Sequence, residues 1–408
     1  MTFDRCIVQQ DKSLIISTSA RGKLLLFVYV LSIPVLTSCV LSLEWSCEIR
    51  DQCIIDRFDP RKISLGSLRS QLPTRLKFMH FRNFKGTSIG HSIFNHIEDT
   101  IANVQIRNST VLRKIIIPGN VTIKQLTVVQ TRLAWIHFQP NDVIEGIWIT
   151  SSHLQQIPPS LKNLKNLEVI RLQYSYIQHL DLELLIDCRS LDTLDLMHNK
   201  IHTITSTLSD GQRRRLFLLD LSNNQLQTVN LEVLAPIGWF VYVDFSHNKI
   251  NLLVGRFSGD DMRSIKLSNN RLKVLDFCQW EPVPRFTFIY FGSNELSHMP
   301  NCLERFATLT YIGFQSNKLN SVSMDVFGAM DNLTTLDLSS NEISRIAFHE
   351  DRHPKRLSRL ILSKNKVECS HDNDMPFCPL EIEFKSRDKN SDWERNNNSL
   401  REQLTIVT

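Results

Sequence analysis

The string His349-Glu350-Asp351-Arg352-His353 carries the residue types of a zinc protease. Two histidines four residues apart could ligate a metal from one helical face, with the glutamate between them as general base. That chemistry needs a helix of several turns and a third ligand elsewhere. Pro354 follows directly, and the stretch from Ile343 to Leu357 is too short to hold such a helix, so the string is expected on a turn. No glycine-rich phosphate loop, nucleophile elbow or paired-carboxylate pattern accompanies it. The chain is therefore expected to be no enzyme and to take no metal or cofactor.

The cysteines point to a different chemistry. Cys47 with Cys53 stands near one end of the chain and Cys369 with Cys378 near the other, an arrangement suited to disulfides that staple the ends of a core in an oxidising compartment. Arg21 and Lys23 precede an apolar run from Leu24 to Leu36, followed by small or polar residues at Thr37, Ser38 and Ser42. That order reads as a signal peptide cut between Cys39 and Ser42, or as a signal-anchor. Sequons at Asn108, Asn120, Asn332 and Asn397 permit N-glycosylation. The net charge of +5 is spread along the chain, so no nucleic-acid footprint is present, and Arg213-Arg214-Arg215 reads as a solvated loop.

The elements that hold these residues follow from an internal repeat. The pattern LxxLxLxxNxL starts at Ile101, Ile123, Ile144, Leu167, Leu191, Leu216, Phe240, Met262, Phe286, Leu309, Leu333 and Leu357, with a weaker copy near Leu76. Successive starts from Ile101 onward lie 21 to 25 residues apart. Apolar positions 4 and 6 alternate with polar 3, 5 and 7, which is the period of a strand buried on one side. One repeat cannot cover its own inward residues, so neighbours must stack. The expected fold is an α/β repeat solenoid, a right-handed arc with a parallel β-sheet on its concave face. Residues 1–42 are read as leader and signal peptide (or signal-anchor), 43–75 as N-terminal cap, 76–367 as an array of about 12–13 repeats and 368–408 as C-terminal cap and tail.

Position 9 is Asn199, Asn224, Asn248, Asn270, Asn294, Asn317, Asn341 and Asn365 in eight consecutive copies, a column able to satisfy the backbone of the turns. Upstream the position holds Ser109, Thr131, Ser152 and Ser175, whose shorter reach predicts a less regular end. Asp195, Asp220 and Asp244 share position 5, partly offset by Lys266 and Arg171, and read as ordinary consensus residues. Cys278 and Cys302 share position 17 of adjacent repeats and are expected to form a disulfide on the convex side, while Cys188 falls at an inward position as a buried thiol. On the concave sheet most repeats show small or polar groups. Phe288, Tyr290 and Tyr311 do not, and with open space beside Gly313 they form a candidate partner-binding patch, which Tyr242 could extend across Ser264. Trp393, Asn397, Leu400, Leu404 and Val407 keep a heptad register, too short to pair firmly, so weak or no homodimerisation is expected.

These motifs, LDLSNNQL and LDLSSNEI above all, resemble the extracellular leucine-rich-repeat superfamily in the manner of Toll-like receptor ectodomains, over roughly residues 47–378. The sparse caps and the array length look most like the secreted leucine-rich immune proteins of mosquitoes. That resemblance implies a secreted scaffold that binds an extracellular protein, complement-like proteins in that group, in innate immunity. It implies no nucleic-acid partner and no stable membrane span if the signal is cleaved. Two departures stand out: the long coiled coil and the downstream membrane span of better-known branches have no counterpart in this sequence. A matrix or adhesion protein and an intracellular regulatory subunit are the alternatives.

Overall fold

The computed structural model describes residues 23–27, 40–49, 51–69, 72–97, 99–207, 215–235, 239–257, 259–347, 349, 352–367, 382–384 and 404–406. They fall into two compact units: 1–176 with 187–190, and 177–186 with 191 onward. Alternation of apolar and polar residues makes each repeat contribute one strand, and the strands of each unit pair in parallel. In the first unit these are β1 (Gln52–Asp56), β2 (Phe78–Arg82), β3 (Asn103–Arg107), β4 (Gln125–Val129), β5 (Gly146–Thr150) and β6 (Val169–Gln173). The ladder thus begins inside the segment read as a cap. Arg57 confirms that register, because it takes the same left-handed turn as Asn83, Asn108 and Gln130 one repeat apart.

The first unit is more regular than its hydroxyl column predicts, and the physical reason lies in its connecting segments. Ser88–Ile89, Lys114–Ile117 and Trp135–Phe138 form a second parallel sheet, so the outer backbone is tied strand to strand. The hydroxyls cover less: Ser109 Oγ accepts from the Phe84 N–H (3.0 Å), and Ser152 and Ser175 meet each other at 2.8 Å. Val40–Ile49 pairs antiparallel with β1 and, on its far side, with Lys23–Phe27.

The second unit stacks β7 (Thr193–Asp195), β8 (Arg215–Asp220), β9 (Trp239–Asp244), β10 (Ser264–Lys266), β11 (Phe288–Tyr290), β12 (Tyr311–Gly313), β13 (Thr335–Asp337) and β14 (Arg359–Ile361) in parallel register. Each strand ends where the chain turns at position 8: His198, Asn223, His247, Asn269, Ser293, Ser316, Ser340 and Lys364 all have φ between 54° and 58°. A non-glycine residue there is strained by about 1 kcal/mol. Hydrogen bonds to the next repeat offset it, as when the Asn223 N–H donates to Ser246 O at 2.9 Å.

The asparagine column does what its chemistry allows. Asn294 Nδ2 donates to Leu267 O and Phe291 O, both at 2.9 Å, while its Oδ1 accepts from the Leu272 N–H at 3.0 Å. The same three bonds recur at Asn224, Asn270, Asn317 and Asn341. Beneath it the position-6 side chains are fully buried, Phe291 stacking on Phe314 at 5.2 Å, and Phe277, Trp280 and Phe306 fill the outer side of the same core. Met324–Phe327 winds into a single 3₁₀ turn with Phe327 buried, and Pro159–Asn163 forms another. At the far end Leu404–Ile406 is a strand antiparallel to Ile382–Phe384, which does not fit the heptad reading of the tail; the rest of that tail lies outside the described residues.

Candidate functional site

The second unit's sheet face carries the aromatic residues singled out above, in two groups. Tyr290 and Tyr311 lie on adjacent strands with ring centroids 5.0 Å apart, and Phe288, 37% exposed, stands opposite Tyr311 in register. Open space at Gly313 is not what separates them. A side chain there would meet Tyr311 Oη at 2.9 Å and Gln315 Oε1 at 2.8 Å, so the glycine admits the tyrosine ring and an amide that also lies over Gly292. Gln315 Oε1 is buried without a hydrogen-bond partner. Burial, then Asp337 and Tyr290, push the Tyr311 hydroxyl above its ordinary value, against the pull of Arg359.

Tyr242 stands in the same row as Phe288. Ser264 separates it from Phe288, and its ring packs edge-on against Phe217 at 5.1 Å. Phe217 is 44% exposed and sits at position 2 of its repeat, a position the alternation assigns to neither face. The one signal for it is aromatic: a phenylalanine where the neighbouring copies carry Asp192 and Val241.

The aspartate row is structural first. Asp195, Asp220 and Asp244 are in register, and each Oδ1 accepts from the N–H two residues on, at 3.2, 2.8 and 2.9 Å. Lys266 Nζ reaches Asp244 Oδ2 at 3.3 Å. Burial raises the Asp220 carboxyl above its ordinary value, opposed by the bonds from Ser222 and helped by Asp244 and Asp195. A carboxyl that holds its proton more tightly folded than unfolded destabilises the native chain when it ionises. The effect is absent below the ordinary carboxylate value and grows as pH rises through the raised one. Asn at this site keeps an acceptor for the Ser222 N–H. Asp220→Asn should therefore raise the thermal midpoint at pH 7 and lose that advantage below about pH 4. Equal midpoint shifts at both pH values would rule out charge as the cause.

The other predicted residues separate as follows. Sulfur bonds join Cys47 to Cys53 (Cα–Cα 4.2 Å) and Cys278 to Cys302 (5.1 Å). Asp276 lies beside the second pair and its Oδ1 accepts from the Cys278 N–H at 2.8 Å; with the sulfurs bonded to each other, no thiolate is left for a metal. Cys188 is buried, its Sγ 3.6 Å from Leu161 O. Cys369 and Cys378 lie outside the described residues, as do Asn397, Arg213, Arg214 and the apolar run from Val28 to Leu36. Asn108 and Asn120 are exposed, whereas Asn332 is half-buried and its Oδ1 accepts from Arg356 at 3.1 Å. The zinc-protease string is not assembled. Arg345–Ala347 before it is a strand, His349 Nδ1 pairs with Asp325 Oδ1 at 2.9 Å on the neighbouring repeat, and Glu350 is outside the described residues. Among the described residues no helix is long and apolar enough to cross a membrane.

In the first unit the same rows hold His80, kept below its ordinary value by burial and by Arg107, and Trp148, whose ring covers Gly146.

Comparison with known proteins gives the same architecture. The leucine rich repeat family pattern matches residues 147–201 and 307–367. Podocan of Mus musculus is 26% identical over 226 residues, covering 54% of this chain and 33% of podocan. Tsukushi of Xenopus tropicalis is 31% identical over 161 residues, covering 37% of this chain and 43% of Tsukushi. The chain thus spans less than half the length of these curated relatives. Among solved structures, the LRIM1/APL1C complex contains a chain similar to this one, with a TM-score of 0.55 at 15% identity, covering 78% of this chain and 55% of that one.

Proposed function

We propose that this chain, a leucine-rich-repeat binding scaffold and not an enzyme, recognises a protein partner outside the cell, in innate immunity. The observation that carries the reading is the aromatic group on the sheet of the second unit: Tyr290 on Tyr311 at 5.0 Å with Phe288 exposed beside them. Rings held at an otherwise polar surface are typical anchors of protein interfaces. The similar chain in the LRIM1/APL1C complex was solved together with a protein partner, which supports a protein as the ligand here. The bonded cysteine pairs suit an oxidising compartment and hence secretion. On this reading the exposed Asn108 and Asn120 carry glycans in preference to Asn332, and the protein forms no firm homodimer.

Capture of partners from culture medium by the tagged full chain tests it. One soluble protein should be enriched, and the double substitution Tyr290→Ala with Tyr311→Ala should weaken its binding by at least about tenfold while folding is kept, since neither ring enters the core. Unchanged affinity in the folded double variant would move the site off this face. Enrichment of matrix components in place of one soluble protein would favour a structural role.

A further inference from the structure

Ser264, like Gln315, is a polar side chain of the sheet face whose buried oxygen has no partner among the described residues. It is 4% exposed, its Oγ is buried, and no hydrogen bond reaches it. A buried hydroxyl without a partner is costly, by roughly 1–3 kcal/mol, and marks a place where a partner group belongs. Its row defines what that group must be. Tyr242 flanks Ser264 on one strand and Phe288 on the other, each in register with it. Two strand spacings separate the rings at their roots by about 9.6 Å, and because Ser264 Oγ is buried this gap is covered, so a planar group enters it only when one ring moves. Phe217, edge-on against Tyr242, fixes the inner ring, while Phe288 is exposed and can turn aside.

The charge beside this slot is negative. Asp244 stands two residues along the strand from Tyr242, with Asp220 and Asp195 in line behind it. The chain already sets a cation on Asp244, the half-exposed Lys266 ammonium at 3.3 Å, which a competing donor can displace. A neutral peptide amide would use the serine but bring no charge to replace that of Lys266 at Asp244, and a lysine would use the carboxylate but not the slot. A guanidinium is flat, stacks on aromatic faces and presents several N–H groups in one plane, so it satisfies all three.

We propose that the strip from Phe217 to Phe288 takes an arginine side chain of the protein partner, its guanidinium between the Tyr242 and Phe288 rings, donating to Ser264 Oγ and to the Asp244 carboxylate in place of Lys266. This rests on the sheet face being the protein-binding face and names the group it selects. Isothermal titration of the full chain with tetra-arginine and tetra-lysine peptides at low salt provides the test. Tetra-arginine should bind at least about fivefold more tightly than tetra-lysine, and Asp244→Asn, which keeps an acceptor for the Ser246 N–H, should weaken tetra-arginine by about tenfold. Ser264→Ala and Phe288→Leu should each bring tetra-arginine down towards the tetra-lysine level. Peptide binding is read in the absence of the protein partner, so that the arginine slot and the tyrosine patch can fail separately. Equal affinity for the two peptides, or native affinity in folded Asp244→Asn, would overturn the arginine assignment.

Discussion

Asn294→Ala should destabilise the second unit by about 3 kcal/mol, because it leaves one buried N–H unpaired, worth about 1–3 kcal/mol, and takes from two buried carbonyls one of their two amide donors, Asn270 and Asn317 supplying the others. The carbonyls are those of Leu267 and Phe291 and the N–H is that of Leu272, so the loss spans two repeats and not one. Stacked repeats share stability with their neighbours only, and unfolding need not be a single step. The measurement is therefore a urea titration combined with hydrogen exchange at the Leu272 amide, which should lose protection first. Asn294→Ser, which puts in this column the hydroxyl found in the first unit, should fall between the two. Glu295→Gln is the control one residue away. Its exposed carboxylate is held below the ordinary value by Lys318, and its loss should leave the urea midpoint in place. A cost for Asn294→Ala below about 1 kcal/mol would mean that water, not the column, satisfies these turns.

The column was legible because its chemistry is forced. A residue that must both donate to two carbonyls and accept from an N–H on a turn leaves asparagine at a fixed spacing, and the strands follow from the alternation on either side. Less could be read where structure is made by what neighbours do not share. The parallel sheet at Ser88–Ile89, Lys114–Ile117 and Trp135–Phe138 lies in connecting segments that follow no repeat consensus, so no period announces it. The strand Gln52–Asp56 lacks leucines, carrying Cys53 and Ile55 at the inward positions, and was absorbed into the cap. In the candidate site the outward positions gave Phe288, Tyr290 and Tyr311 directly, because strand register puts them side by side. Tyr242 falls in the expected row, with Ser264 between it and Phe288. Phe217 lies off the alternating pattern, and only the fold shows that its ring turns to meet Tyr242. Gly313 was read as a gap, whereas it is the space Tyr311 and Gln315 require.

The double substitution Cys278→Ser with Cys302→Ser should cost about 3 kcal/mol, the loop-closure entropy of a bond that spans 24 residues. Most of that cost should appear locally. Between these two repeats the outer backbone is joined by Phe277 N–H to Asn301 O at 3.1 Å and Asn301 N–H to Leu275 O at 3.0 Å, an isolated bridge. Beneath it Phe277, Trp280 and Phe306 pack edge to face within 6 Å of one another and hold the inner side closed. Removal of the sulfur bond should therefore open the turn at Asp276–Cys278 to hydrogen exchange and proteolysis while the strands of the sheet stay protected. Cys47→Ser with Cys53→Ser closes a span of only 6 residues and should cost less. The sheet face gives the sharper comparison, because Tyr290 belongs to the same repeat as Cys302 and Tyr311 to the next one, and both sit on the inner strands. Partner binding through those rings should survive reduction of the protein, at unchanged affinity, up to the temperature at which the opened turn unravels the repeats. Loss of binding in step with reduction, before any loss of sheet protection, would show that the outer bond sets the geometry of the binding face and does not merely staple the turns behind it.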